Sequence, residues 1–250
     1  MNETTTFVIY EHPLNEKVRS WLRLETLLSQ IFALQHIDSY TSGIAFFRAV
    51  SELIEVLDRG EVRSELIKEL DKQHQRLVAW SEAPYVDKEI IVGLLADVNS
   101  KQVKVKTAPR FAHQLRGDKI ISMVRQRLSI PGGYCGFDLP LLQLWLNLPQ
   151  PERDQRMSLW LDGLLPLKES LDVILLLIRN SGYFELIESH NGFYQDSVED
   201  KYLLRIKLPV NELIYPQISG HKTRFAIRFL HFDSEHGIIP PILKFELASC

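Results

Sequence analysis

The sequence predicts an α+β protein: a helical N-terminal domain followed by an antiparallel, β-rich C-terminal domain. Three observations predict it. Over the first two-thirds of the chain, apolar residues recur at three- and four-residue steps. Beyond Ser181-Gly182, alternation replaces that period, and glycine-containing turn pairs separate the alternating runs. The expected division is residues 1–182, mainly helical, and residues 183–250, antiparallel β.

The helices follow in order. Pro13 is tolerated in a first helical turn, and Leu14, Val18, Trp21, Leu28 and Ile31 continue the stripe. A second helix is expected from Ser42 to Asp58, with Phe46, Val50, Leu53, Ile54 and Leu57 inward and Gly60 as its stop. A third runs through Leu66, Leu70 and Leu77 and ends before Pro84. Asp87 can cap a fourth, with Ile90, Ile91, Leu94 and Leu95 on its inner face, and Asp118 a fifth, with Ile120, Ile121, Val124 and Leu128 inward. After the loop Ser129–Pro140, two or three helices fit between Leu141 and Asn180, of which Leu171–Ile178 is the most apolar.

Strands replace them. Leu204, Ile206 and Leu208 alternate with Arg205 and Lys207, and Phe225, Ile227 and Phe229 alternate with Arg224, Ala226 and Arg228 in a run from Thr223 to Phe232. Turns are expected at Asn191-Gly192, Ser219-Gly220 and His236-Gly237, and a last strand from Ile242 to Ala248.

Composition narrows the class. With 250 residues, 45% hydrophobic and 24% charged, the chain is long enough for one large domain or two ordinary ones and carries a globular core. Only 12 glycines and 12 prolines exclude collagen-like and mainly disordered readings. No apolar stretch approaches the length of a membrane span, and Met1–Glu11 lacks the apolar segment of a secretory signal. Two cysteines, Cys135 and Cys250, are too few for a disulfide framework, which fits a reducing cytoplasm.

The net charge of −3 conceals a local imbalance. Between Lys101 and Leu128 stand eight basic residues (Lys101, Lys104, Lys106, Arg110, Arg116, Lys119, Arg125 and Arg127) and one acid, Asp118. Such a segment suits an anionic partner: a nucleic acid, a membrane surface or an acidic peptide. Phe111 is its one aromatic, which argues against single-stranded nucleic acid, whose binders stack bases among their cations.

Reactive constellations are missing. His231 and His236, the closest pair of eight histidines, stand five apart, not a ligand spacing. Gly220-His221-Lys222-Thr223 imitates the end of a phosphate loop, but Tyr215 occupies the place of the upstream glycine. The run Ile130-Pro131-Gly132-Gly133-Tyr134-Cys135-Gly136 reads as a tight crossover needing positive φ at its glycines, rather than as a phosphate cradle with a cysteine nucleophile. No catalytic residue, metal ligand or cofactor is assigned. Lys222, Arg224 and Arg228 share one parity opposite Phe225, Ile227 and Phe229, so they form an outward row. That row is either a solvated strand face guarding an edge or a groove for an extended anionic peptide, which arginine's planar fork suits. Arg23, Arg59 and Arg63 lie on the polar sides of the first three helices, and Arg59 also suits a helix C-terminus.

Several long stretches resemble one family. Glu11-His12-Pro13-Leu14-Asn15-Glu16-Lys17, Arg59-Gly60-Glu61-Val62-Arg63, Val124-Arg125-Gln126-Arg127-Leu128-Ser129-Ile130-Pro131-Gly132-Gly133 and Asn191-Gly192-Phe193-Tyr194-Gln195-Asp196 resemble the ZapD family of FtsZ-associated bacterial cell-division proteins. The stretch from Tyr215-Pro216-Gln217 through Arg228-Phe229 does so too, and the resemblance runs from Glu11 to Cys250. It implies a non-enzymatic cytoplasmic homodimer at the mid-cell division ring, binding neither nucleic acid nor membrane. The dimer would bind the C-terminal tail of FtsZ and cross-link its filaments into bundles. Tail binding by motif falls on Arg59, Arg224 and Arg228, with Arg23 and Lys119 as neighbours; Lys222 and Arg116 complete the basic set. Two positions depart from the family's pattern: Lys119 stands where arginine is expected and Gln143 where histidine is. The reading from a different class is a nucleic-acid-binding protein using the basic segment.

Overall fold

A computed structural model describes residues 6–84, 86–221 and 223–250. Among these the chain forms nine α-helices and seven β-strands, the helices preceding six of the seven strands, in agreement with the α+β expectation. It divides into two compact units, Arg23–Ile174 and a discontinuous one made of Met1–Leu22 with Leu175–Cys250.

The first two-thirds contain α1 (Glu16–Ala33), α2 (Tyr40–Arg59), α3 (Val62–Ser81), α4 (Lys88–Thr107), α5 (His113–Gly117), α6 (Lys119–Leu128), α7 (Pro140–Leu146), α8 (Gln150–Asp162) and α9 (Leu165–Arg179). Their starts are chemical. Ser39 and Ser42 exchange side-chain and backbone hydrogen bonds in a capping box at α2, and Asp87 Oδ1 accepts from the Glu89 and Ile90 amides at α4. Asp118 does more. Its Oδ1 accepts from the Ile120 and Ile121 amides at 2.8 and 3.2 Å, while Oδ2 accepts from Arg156 Nη2 at 2.8 Å and Trp160 Nε1 at 3.0 Å. One nearly buried carboxylate thus ties α6 to α8. Trp160 also joins Phe46, Phe47 and Trp145 in a knot of rings 5.3–5.9 Å apart.

The crossover between α6 and α7 is glycine-dependent, in two different ways. Gly132 takes φ +71°, as expected, whereas Gly133 is required by space: a Cβ there would lie 2.4 Å from the Arg127 carbonyl oxygen. Three helices follow the loop. The short α5 is absent from the sequence reading, because five residues carry no period. On α4, Ile91, Val98 and Val105 are buried, but Ile90, placed inward by the reading, is 60% exposed.

The sheet holds β1 (Phe7–Pro13), β2 (Glu185–His190), β3 (Phe193–Ser197), β4 (Leu203–Pro209), β5 (Ile214–His221), β6 (Arg224–His231) and β7 (Ile242–Ser249). Their order is β1-β4-β7-β2-β3-β6-β5, with every pairing antiparallel. Asn191 and Gly192, at φ +50° and +72°, make the expected tight turn between β2 and β3. Ser219-Gly220 is not a turn; both residues lie inside β5, and the chain reverses between His221 and Arg224.

The sequence reading also misses β1, and Pro13 ends this strand instead of opening a helix. As an edge strand with half-exposed residues on both faces, it has no alternation to recognise. It is held by pairing with β4 and by Glu11. That carboxylate accepts from Arg179 Nε and Nη2 at 2.9 and 2.7 Å and from Arg205 Nε at 3.0 Å. Inside, Leu204, Ile206, Phe225, Ile227, Phe229 and Phe245 form the core of the strand unit, with the Phe229 and Phe245 rings 4.8 Å apart.

Two expectations follow. Asp118→Ala removes a cap and leaves the Trp160 indole N–H without its acceptor, while Arg156, 43% exposed, can turn to water, so unfolding in urea should show a loss of about 2–3 kcal/mol, and Asp118→Asn a smaller one. On β1, burial and then the Arg19 guanidinium lower the pKa of His12 below its ordinary value of 6.5. Protonation therefore favours the unfolded chain, so this contribution is complete above that value and declines as pH falls through it. Melting curves of His12→Gln should lose less stability than the parent between neutrality and mild acid.

Candidate partner-binding surfaces

β6 is an interior strand, paired with β3 on one side and β5 on the other. Its pleat sends Phe225, Ile227 and Phe229 into the core and leaves Arg224 and Arg228 exposed on the opposite face. The two arginines are about 13 Å apart along the strand, at ~3.3 Å per residue. Since β6 has neighbours on both sides, these cations are not guarding an edge.

Register completes the surface. Arg228 stands opposite Phe193 and Gln217, Ala226 opposite Gln195 and Ser219, and Arg224 opposite Ser197. Phe193, Gln195, Ser197, Gln217 and Ser219 are all exposed. No acid stands among these positions, so a three-strand patch presents two guanidinium groups, an exposed aromatic ring and neutral polar neighbours. Lys222, read as part of the same row, lies outside the described residues. β6 itself begins at Arg224 rather than Thr223.

Among the helices, Arg59 closes the last turn of α2, where a cation meets the negative end of the helix dipole. Its side chain is exposed and 3.8 Å from Glu55. Arg59 and Arg23 line one cleft of about 420 Å³, with Glu52 and Glu55 in the same wall, so its charge is mixed. Across Gly60 lies a second cleft, about 340 Å³, lined by Arg63, Arg110, Phe111 and Arg116. The Arg116 side chain is only 20% exposed and is engaged by Asp58 at 2.7 Å and by the Phe111 carbonyl. Arg63 lies over the Phe111 ring at 4.9 Å and donates to the Pro109 carbonyl. Lys119 is exposed at the first position of α6, beside the Asp118 cap.

The predicted residues therefore fall in distinct places. Arg224 and Arg228 share a face, Arg23 and Arg59 share a cleft, Arg116 belongs to the neighbouring cleft, and Lys119 stands at a helix start. Phe193 is not among the residues the sequence points to, because its place opposite Arg228 depends on strand pairing and has no local signal. The basic segment is partly engaged by acids in the fold, three carboxylates serving five cations. Lys101 and Lys104 meet Glu169, Arg110 and Arg116 meet Asp58, and Arg127 approaches Asp138, which engages five of its eight cations. Hydrogen bonds from Lys104 and Lys101 lower the Glu169 pKa. Among the described residues no cluster of three potential metal ligands occurs, and no helix is long and apolar enough to cross a membrane.

Comparison with known proteins gives the class: relatives aligned along this whole chain are cell division proteins. It is 54% identical over 250 residues to Cell division protein ZapD of Photorhabdus laumondii, with 100% of each chain covered. Against that of Cronobacter sakazakii it is 52% identical over 245 residues, 98% of this chain and 99% of the relative. Against that of Yersinia enterocolitica it is 50% identical over 250 residues, again with 100% of each covered. A family model described as "ZapD: Cell division protein" matches residues 22–228. The chain belongs to the ZapD family.

The opposite faces of β6 should respond differently to substitution. Arg224→Glu and Arg228→Glu should change unfolding free energy by no more than ~0.5 kcal/mol. Phe229→Ala, one residue away but facing the core, should cost about 3–5 kcal/mol in the same urea titration.

Proposed function

We propose that this chain is a non-enzymatic adaptor of cell division that binds the C-terminal tail of FtsZ and, as a homodimer, cross-links FtsZ filaments into bundles. It would act in the cytoplasm at the mid-cell ring. The observation that carries the reading is the acid-free outer face around β6, with Arg224 and Arg228 flanked by Phe193, Gln195, Gln217 and Ser219. A peptide laid across it meets two forks suited to carboxylates and one apolar contact. Arg59 and Arg23 are secondary candidates because Glu52 and Glu55 share their cleft. Arg116 is mostly withdrawn and held by Asp58, which leaves it little to offer a partner, and Lys119 is available at the surface. Engagement of most of the basic segment by acids speaks against the nucleic-acid reading.

Titration with a synthetic tail peptide tests the assignment. Arg224→Glu and Arg228→Glu should each weaken binding by ~10- to 150-fold, the equivalent of losing a charge-assisted bond of ~1.5–3 kcal/mol. The corresponding lysine variants should lie between, since charge remains while the fork is lost. Normal binding by the glutamate variants would remove β6 from the site. Displacement of the peptide by a DNA duplex at ~0.15 M salt, where non-specific DNA binding is weak, would favour the nucleic-acid reading.

A further inference from the structure

The sheet ends in two edge strands, β1 and β5, and they are not alike. Toward β4, Thr6 accepts from the Val210 amide and Leu14 donates to the Tyr202 carbonyl, each at 2.9 Å. Hydrogen-bonded pairs alternate along an antiparallel ladder, so Val8, Tyr10 and His12 bond to β4 as well. The N–H and C=O groups of Phe7, Ile9 and Glu11 turn the other way. Among the described residues these outward groups have no backbone partner. β5 is guarded where β1 is not. Phe232 donates to the Leu213 carbonyl, and the same alternation turns Ile214, Pro216, Ile218 and Gly220 outward. Pro216 has no N–H to offer, a common protection of an exposed edge. β1 carries proline only at its last residue and lysine nowhere.

The side chains beside this edge are apolar. Phe7, Val8 and Ile9 are all exposed. Val8 and Tyr10 open onto a cleft of about 170 Å³, completed by Val210, Leu213, Tyr215 and Phe232 among others, with no charged residue in its lining. Phe232 is 80% exposed. Directly opposed residues of neighbouring strands share a face, so a strand laid against β1 would turn the residues opposite Val8 and Tyr10 toward this cleft.

We propose that the outer edge of β1 is a docking site for an extended segment of another protein, which joins the sheet as a further strand and seats an aliphatic or aromatic side chain in the cleft. The backbone selects this occupant. Alternating free N–H and C=O groups are answered in full by another extended main chain, whereas a lipid surface or a helix leaves them unmet. Four strands separate β1 from β6 in the sheet order, so this site is distinct from the face that carries Arg224 and Arg228.

Amide hydrogen exchange on the intact chain, followed residue by residue by NMR, tests it, with a blocked heptapeptide of alternating threonine and leucine as the probe. In the free protein Phe7, Ile9 and Glu11 should exchange fast and Val8, Tyr10 and His12 slowly; saturating probe should slow the first three by about tenfold or more. Ile9→Pro removes only an outward donor, so it should weaken probe binding about tenfold while the melting temperature stays near that of the parent. Should that variant fold poorly, a probe N-methylated at its threonines makes the same test on the parent protein, and it should not bind. Phe232→Ser should weaken the probe without changing the exchange of free β1. A probe that leaves the three amides unprotected, or that binds equally well when N-methylated, would overturn the proposal. So would protection of those amides by phosphatidylglycerol vesicles alone, or protection that rises with protein concentration in the absence of probe; these would give the edge to a lipid surface or to a second copy. Arg228→Glu should bind the probe normally and Ile9→Pro should bind the tail peptide normally, so either site can fail while the other stands.

Discussion

Glu11 stands directly opposite Arg205 on the neighbouring strand and receives Arg179 from the end of α9. The strand unit is discontinuous in sequence, and this carboxylate is where its distant pieces meet. All three side chains are mostly withdrawn from water, so none of the charges is tolerable without the others. The geometry also fixes register: sliding β1 by one residue along β4 would set Glu11 on the wrong face and leave both guanidinium groups unanswered. Arg205 further donates to the Arg179 carbonyl, capping a helix end with the same cation. Asp118 plays the corresponding part among the helices, where one carboxylate is both an N-cap and an anchor for α8.

How much of this was legible in the sequence depended on how local its cause was. α2, the Asp87 and Asp118 caps and the Asn191-Gly192 turn could be read because neighbours within four residues determine them. The alternation that turns Arg224 and Arg228 outward was legible for the same reason. β1 was not, since an edge strand needs only pairing and owes nothing to a period. Nor was the fate of the basic segment. Asp58 and Glu169 lie more than fifty positions from the cations they engage, so part of a run that looks like a uniform positive patch is held in long-range ion pairs. The outward turn of Ile90 was misread for a related reason: apolar spacing cannot tell a face covered by the same chain from one left uncovered.

The basic residues divide by the stiffness of what carries them. Arg23 and Arg59 project from helices into a cleft shared with two glutamates, where long side chains can repartner. Arg224 and Arg228 rise from an interior strand whose backbone is bonded on both sides and whose underside is packed with phenylalanine. Their separation is set by the pleat, so less freedom remains to be lost when a ligand arrives.

The hydrophobic side of β6 carries a consequence for the other side. Exposed Arg224 and Arg228 alternate there with buried Phe225, Ile227 and Phe229, so the basic row and the core are the same string of residues read at opposite phase. A one-residue pairing error would bury both guanidinium groups and expose three apolar side chains at once. The exposed basic row and the stability of the unit therefore stand or fall together with the register of this strand.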